Sequence, residues 1–174
     1  RALKDKPEAL INYFPAYEDR PYFEQTFKSA VERLSENNPV KLLDLLHGVF
    51  QLAPEDIFRI AQPTTESKAL GEKSTKFYEK YIKPKLKDIL KRAIEKNSEE
   101  GAAYVIALAP AYKKEPYAEE ILQLAAKKNP NSLAYKFDRI KDQPYAEKVL
   151  WTAVHTNFFA VMSWSDRFYG EPYY

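Results

Sequence analysis

The four residues Pro116-Tyr117-Ala118-Glu119 return as Pro144-Tyr145-Ala146-Glu147, and Pro172-Tyr173 begins the same pattern a third time. The step from Pro116 to Pro144 and the step from Pro144 to Pro172 are both 28 residues. An earlier copy reads Pro21-Tyr22-Phe23-Glu24, and a weaker one begins at Pro84. A fixed period of this length is the signature of a repeat architecture, so the copies are expected to share one structure.

Apolar residues recur at fixed offsets after each of these prolines. Offsets 1, 2, 5, 6, 9 and 10 from Pro116 are Tyr117, Ala118, Ile121, Leu122, Ala125 and Ala126. The same offsets from Pro144 are Tyr145, Ala146, Val149, Leu150, Ala153 and Val154. Across the four copies only Thr26 and Lys85 break the rule. Apolar pairs spaced by four form one face of an α-helix, so each proline is predicted to occupy the first position of a helix.

An asparagine follows three of these prolines at the same distance of thirteen residues. The three are Asn97, Asn129 and Asn157. Asparagine suits the C-terminal end of one helix and the N-cap of the next, so one residue can serve both helices of a tight pair. Shorter second helices are predicted over 130–141 and 158–169, and residues 7–17 fit the same place in the pattern.

The chain is therefore predicted to be all-α, a right-handed stack of short antiparallel helix pairs with about 28–32 residues per pair. The predicted pairs, all within one domain over 1–174, are 7–38, 84–115, 116–143 and 144–171. Residues 39–83 fit the scheme least well and are either a diverged pair or an insertion. They are predicted to contain an apolar helix from Val40 to Leu52, a short helix over 54–62, and a helix to about Ile82 that can run into the Pro84 helix with a kink.

This alternation of short helices resembles the αα-hairpin repeat proteins, such as the tetratricopeptide, HEAT-like and Sel1-like arrays. The resemblance covers roughly residues 1–38 and 84–174. The 28-residue period is shorter than the tetratricopeptide period of about 34, and the Trp-x-x-Leu-Gly-x-x-Tyr signature of that family is absent from the sequence. The resemblance therefore implies an architecture and transfers no functional residues.

Composition excludes several classes of function. Lys and Arg total 27 against 25 for Asp and Glu, so the net charge of +2 gives almost no overall field to steer a polyanion. The absence of cysteine excludes disulfides, thiolate metal sites and cysteine nucleophiles. The longest apolar runs fall far short of the roughly 20 residues of a membrane-spanning helix, so a soluble protein is expected. Because the first residue is Arg1, the chain is interpreted as a processed form or an excised piece.

No residue pattern carries recognisable catalytic chemistry. His47 and His155 stand alone, without a second histidine or patterned carboxylates at metal-ligand spacing. The four glycines form neither a phosphate-binding loop nor a nucleophile elbow. We therefore expect a protein that is not an enzyme, with no cofactor and no metal.

Aromatic residues are the main candidates for contacts with a partner. The expected function is a protein–protein interaction scaffold, whose repeated face would bind an extended peptide or a broad surface. The candidate contacts are Tyr22, Tyr117, Tyr145, Trp151, Trp164, Phe168, Tyr169 and Tyr173. Terminal repeats normally carry a polar cap, so the aromatic C-terminal segment is expected to continue into further sequence, or to pair with a partner or another copy. The alternatives are core burial of the three repeated tyrosines and a last helix that buries its own rings.

A lysine-rich segment supports a second hypothesis, a helical-repeat nucleic-acid binder. Residues 68–96 hold ten Lys or Arg against four Asp or Glu, with aromatic residues interleaved. Such a patch can meet phosphates, and binding would then weaken steeply as salt rises. The candidate lysines are Lys73, Lys76, Lys80, Lys83, Lys87 and Lys91. The alternative interpretation is a solvated helix face.

Overall fold

The computed structural model of the chain describes residues 7–12, 21–50 and 78–170. All regular structure in these three ranges is helical, which confirms the all-α prediction for this part of the chain. The helices form two compact units, divided between Arg92 and Ala93. Each unit is described by itself below.

Among the described residues of the N-terminal unit, three α-helices precede residue 51 and pack on one another. They are α1 (Pro7–Asn12), α2 (Phe23–Asn37) and α3 (Pro39–Phe50). A π-helical turn, Tyr78–Ile82, then leads directly into α4 (Lys83–Ala107). This continuity agrees with the predicted run-on into the Pro84 helix, in which Pro84 is the second residue of α4 and tolerates its missing N–H there. The predicted elements over 13–17, 51–77 and 171–174 lie outside the described residues.

A single asparagine joins α2 to α3. The N–H of Asn38 donates to the carbonyl of Leu34 at 2.8 Å, and its side-chain oxygen accepts the N–H of Lys41 at 3.1 Å. The same residue therefore ends one helix and caps the next. Residues 39–50 thus form a helix joined to α2 by this single-residue turn; in the sequence prediction they belong to the irregular segment over 39–83. Asn38 does not follow Pro21 at the thirteen-residue spacing, because α2 has 15 residues, about one turn more than the 11 of α6 (Ala118–Lys128).

Helix α2 also packs along the segment 78–92. Three side-chain contacts join the two segments: Glu24 to Lys80 at 3.4 Å, Glu32 to Lys85 at 2.6 Å, and Ser35 to Arg92 at 3.3 Å. Residue numbers rise together on the two sides, so the two helices run in the same direction. The ring of Tyr81 lies 6.5 Å from that of Phe27 and contributes to this contact.

Helix α4 is broken at Ser98, where φ is 46° and ψ is −115°. A Cβ added to Gly101 would lie 2.0 Å from the carbonyl oxygen of Ala93. In a straight helix, residues eight apart are separated by about 12 Å. The chain therefore folds back at Ser98, and the two backbones touch at Gly101. The turn was predicted at Asn97; it lies one residue later, and the positive φ sets it apart from the asparagine turns.

The C-terminal unit continues with a short helix, α5 (Ala109–Tyr112), and two helix pairs of the same plan. The first pair is α6 (Ala118–Lys128) and α7 (Pro130–Tyr135), followed by a 3₁₀ turn at Phe137–Arg139. The second pair is α8 (Ala146–Thr156) and α9 (Phe158–Met162), followed by a 3₁₀ turn at Ser165–Arg167. Helix α6 packs on α8, and α7 packs on α9.

Asn129 and Asn157 join the helices within these two pairs, as predicted. Asn129 has φ −143° and ψ 76°, and its side-chain oxygen accepts the N–H of Ser132 at 2.9 Å. Asn157 has φ −155° and ψ 92°, and its oxygen accepts the N–H of Ala160 at 3.0 Å. The N–H of each asparagine donates to the residue four positions earlier. One residue therefore serves both helices of each pair.

Three of the four repeated prolines, Pro21, Pro116 and Pro144, lie two residues before their helices, and not at the first helical position as predicted. The N–H of Ala118 donates to the carbonyl of Glu115 at 3.0 Å, and the N–H of Ala146 donates to that of Gln143 at the same distance. Pro116 and Pro144 therefore occupy the second position of a β-turn. The fixed φ of proline suits this position as well as the first turn of a helix, which explains the displacement.

Candidate interaction surface

The pairs α6–α7 and α8–α9 pack on each other, and the turns that precede them are joined by one hydrogen bond to backbone and one ion pair. The hydroxyl of Tyr145 donates to the carbonyl of Lys113 at 2.5 Å, and the Lys113 ammonium lies 3.2 Å from the carboxylate of Asp142. We call the surface along which the pairs α6–α7 and α8–α9 contact each other the covered junction. Burial, together with the nearby charges of Asp142 and Glu119, raises the pKa of Tyr145 to about 12. The hydroxyl therefore acts here as a donor that stays protonated at neutral pH.

Aromatic rings fill the second-helix side of the covered junction. The Trp164 indole N–H donates to the side-chain oxygen of Asn131 at 2.8 Å, and its ring lies 4.8 Å from that of Tyr135. The guanidinium of Arg167 sits 4.8 Å from the centre of the Tyr135 ring. Trp164, a predicted partner contact, thus packs and hydrogen-bonds within the chain and is only partly exposed.

Phe168 was predicted as a partner contact, but it is part of the core. Its ring meets that of Phe137 edge-on, with centroids 5.7 Å apart, and only 2% of the residue is exposed. Burying two aromatic rings in this geometry stabilises the fold, so Phe168 has no surface to offer a partner. Phe168 is therefore removed from the set of candidate contacts.

Two further ion pairs cross the covered junction. Lys148 on α8 pairs with Glu119 on α6, and Arg167 approaches Asp138 with 4.0 Å between nitrogen and oxygen. All four side chains retain contact with solvent, so each pair contributes little to stability. The two ion pairs instead contribute to the alignment of the helices. One ion pair joins the two first helices, and the other joins the turns that follow the two second helices.

Residues 28 positions apart occupy equivalent places in the two pairs, yet several differ in exposure. Ala126 and Ala134 are completely buried, on the helices α6 and α7 that pack on α8 and α9. Their equivalents, Val154 and Met162, are half-buried and 39% exposed. The rise in exposure marks the surface of α8–α9 that corresponds to the covered side of α6–α7.

This surface is apolar, and we call it the end face. It consists of Trp151, Val154, Phe158, Phe159 and Met162. The equivalent residues of the covered pair are Gln123, Ala126, Pro130, Asn131 and Ala134. At each of these positions the end-face residue therefore has more apolar area than its equivalent in the pair α6–α7. Phe159 is 82% exposed, and the two phenylalanine rings lie 5.7 Å apart. A cluster of exposed apolar side chains of this kind is typical of an interaction surface.

The other predicted contacts have separate positions. Tyr22, in the N-terminal unit, is 82% exposed and has a positive φ of 68°. Tyr117 and Tyr145 are half-buried, and Tyr169 is 83% exposed. Tyr173 lies outside the described residues. Of the predicted set, only Trp151 belongs to the end face.

Phe158, Phe159 and Met162 were not among the predicted contacts, although all three stand in the aromatic C-terminal segment. The signal that identifies them is available in the sequence. It consists of comparing residues 28 positions apart and noting where a small or polar residue becomes a large apolar one. That comparison needs the structure to show which positions the junction covers.

The lysine-rich segment carries less free positive charge than its composition indicates. Lys80 lies 3.4 Å from Glu24, Lys83 lies 3.2 Å from Glu79, and Lys85 lies 2.6 Å from Glu32. The hydrogen bond from Lys85 lowers the pKa of Glu32, which stays ionised. Lys73 and Lys76 lie outside the described residues. The glutamates of α2 thus offset part of the predicted patch.

The two histidines are exposed and remain apart from any cluster of ligands. The His155 ring lies 5.7 Å from that of Trp151, and its Nδ1 lies 2.7 Å from the carbonyl oxygen of the same residue. Within the described ranges, no group of three His, Asp or Glu side chains is arranged to hold a metal ion. No helix in that part of the chain is long and apolar enough to cross a membrane.

Comparisons with models of known protein families, with curated proteins and with solved structures found no match to this chain.

Proposed function

We propose that this chain is a non-catalytic protein–protein interaction scaffold built from repeated helix pairs, and that a protein partner docks on the end face. The packing of first helix on first helix and second helix on second helix supports a stack of helix pairs. The single observation that carries the proposal is the end face itself. Its five residues are larger and more apolar than their equivalents in the preceding pair, of which Ala126 and Ala134 are completely buried.

The end face is more apolar than a repeat surface that remains in water usually is. A repeat that ends a stack in water normally carries a polar outer surface. Phe158 and Phe159 are 53% and 82% exposed, and Trp151 is 47% exposed. Aromatic residues of this kind dominate the energetics of protein interfaces, so the end face is suited to binding.

The nucleic-acid hypothesis has weaker support. Lys80 and Lys83 each lie within an ion-pair distance of a glutamate, so a phosphate would have to compete with that glutamate. The two hypotheses differ in salt dependence. A phosphate binder loses affinity steeply as ionic strength rises, whereas an apolar protein contact does not.

The test is affinity capture with the full chain and with a double variant, Phe158→Glu and Met162→Glu. The matched control is Lys127→Gln with Lys128→Gln, which changes the net charge by the same amount at exposed positions of α6. We expect the original chain and the control to capture the same protein at both low and high salt, and the double variant to lose it. Circular dichroism confirms that all three are folded. Capture of RNA without protein would contradict the proposal.

A further inference from the structure

We infer that the occupant of the end face is itself a helix pair of the same type, with a basic residue opposite Glu147 and an arginine opposite Asp166. This inference rests on the proposed function and names the class of its partner. Glu147 and Asp166 are exposed and stand 28 residues after Glu119 and Asp138. In the covered junction those two acids meet Lys148 and Arg167. The end face therefore repeats both acidic contact points.

The backbone that carries these contact points is also repeated. Helices α6 and α8 both have 11 residues, and each is followed by a single asparagine turn. The φ and ψ angles of Asn129 and Asn157 differ by no more than 16°. The end face thus presents its two helices in the arrangement that already accepts a helix pair at the covered junction. An occupant of the same plan continues an existing interface.

The two acidic groups favour a helix pair over an extended peptide. Glu147 lies in the first turn of α8, whereas Asp166 lies in the 3₁₀ turn that follows α9. At the covered junction the corresponding acids are met by residues on two separate helical elements of one pair. An extended strand along one helix would reach one acid only. A helix pair reaches both and also covers the apolar residues between them.

The apolar residues define how the occupant differs from the pairs within the chain. Val154 and Met162 are larger than the alanines that they replace, so they offer more area to cover. Met162 is unbranched and adjusts its side chain to a neighbour more readily than a β-branched residue does. The occupant is therefore expected to match the charges of the pair α8–α9 and to bury more apolar area against these two positions than α8–α9 buries against the alanines.

The test extends the full chain in frame after Tyr174 with a copy of residues 147–170. Pro172-Tyr173-Tyr174 then precedes the copy as Pro144-Tyr145-Ala146 precedes residue 147. The copies of Lys148 and Arg167 follow Glu147 and Asp166 by 29 residues, the spacing found at the covered junction. The matched control extension carries glutamate in place of both copies. The readouts are the midpoint of thermal unfolding and the fluorescence of a dye that binds exposed apolar surface.

We expect the extension to raise the midpoint by about 5 °C and to lower the dye fluorescence about twofold, and the control extension to give less than half of each change. An extension that changes neither readout would overturn the inference, as would a control that performs equally well. Sedimentation of the unextended chain adds a third readout. A dimer that dissociates on Phe159→Glu would place the end face of a second copy on this end face, acid against acid, and would also overturn the inference.

The proposed function and this inference fail in different ways. If Phe158→Glu with Met162→Glu abolishes capture but the extension does not dock, the end face binds a partner of another kind. If the extension docks but capture is unaffected by the double variant, the inferred fit is correct and the end face is not the site of the captured partner.

Discussion

The pairs α6–α7 and α8–α9 share a backbone plan but differ in what surrounds them. One side of α6–α7 is covered by α8–α9, and there Ala126 and Ala134 are completely buried. The same side of α8–α9 is the end face, where Val154 and Met162 are larger and more exposed. A burial difference between equivalent positions therefore identifies an interface that neither pair reveals by itself. The predictions below test this comparison, from the largest expected effect to the smallest.

The largest effect is expected at Phe137, which the covered junction buries completely. Phe137→Ala removes a ring packed against Phe168 and leaves a cavity, so we expect the free energy of unfolding to fall by about 3–5 kcal/mol. The equivalent residue of the other pair, Ser165, is partly exposed, and Ser165→Ala should change stability by less than about 0.5 kcal/mol. Urea denaturation measures both values. Similar losses at the two positions would contradict the assignment of a covered and an uncovered side.

A reciprocal exchange at one position gives the next largest effect. Ala134→Met forces extra atoms into a filled contact and should cost about 1–3 kcal/mol of unfolding free energy. Met162→Ala removes a side chain that is 39% exposed and should cost less than about 1 kcal/mol. Chemical denaturation of the two variants gives the comparison directly. If Ala134→Met proved neutral, the covered junction would be looser than the structure shows.

The two asparagine turns differ by one hydrogen bond. Asn129 caps α7 and also donates from its side-chain nitrogen to the carbonyl of Glu99 at 3.0 Å, whereas Asn157, within the described part of the chain, makes only the capping contacts. Asn157→Ala should cost about 1 kcal/mol, the usual value for a lost cap. Asn129→Ala should cost about 2 kcal/mol, because it loses a second bond as well. Thermal unfolding of both variants tests this order, and the reverse order would contradict it.

The smallest effect concerns the hydroxyl of Tyr145. Tyr145→Phe removes the bond to the carbonyl of Lys113 and should cost about 1 kcal/mol at neutral pH. The exposed Tyr22 provides the control, since Tyr22→Phe should leave stability unchanged at neutral pH.

The same hydroxyl predicts a loss of stability at high pH. An unfolded tyrosine ionises near pH 10, whereas the folded pKa of Tyr145 is about 12. The stabilising contribution of the protonated hydroxyl is therefore complete below about pH 10 and is lost as the pH rises to about 12. Unfolding midpoints across this window should converge for the original chain and Tyr145→Phe. A constant difference between them would show that Tyr145 does not titrate as described.

Periodicity predicted the first helices of the repeat because their apolar residues must face a core at fixed angular intervals. The stripe that begins at Tyr117 and the stripe that begins at Tyr145 correspond to α6 and α8, and the asparagine spacing correctly marked Asn129 and Asn157. The turn near Asn97 lies one residue later, at Ser98, where φ is positive and the backbones of Gly101 and Ala93 come into close contact.

The candidate site was harder to predict than the fold. An aromatic residue contributes the same apolar area to a core or to an interface, so composition does not separate Phe168, which is buried, from Phe159, which is exposed. The distinction depends on which neighbour covers each position. For Phe168 that neighbour is Phe137, 31 residues earlier in the chain and on another helical element. Long-range packing of this kind is not encoded in the local spacing of residues.

The central claim is that equivalent positions are covered in one pair and uncovered in the next. Because the chain contains no cysteine, a single cysteine reports on one position alone. The most direct measurement compares the rate at which a thiol reagent labels Ala134→Cys and Met162→Cys under native conditions. A buried thiol reacts only when the structure opens, so we predict labelling at position 162 to be at least about 100-fold faster than at position 134. Equal rates at the two positions would contradict the account.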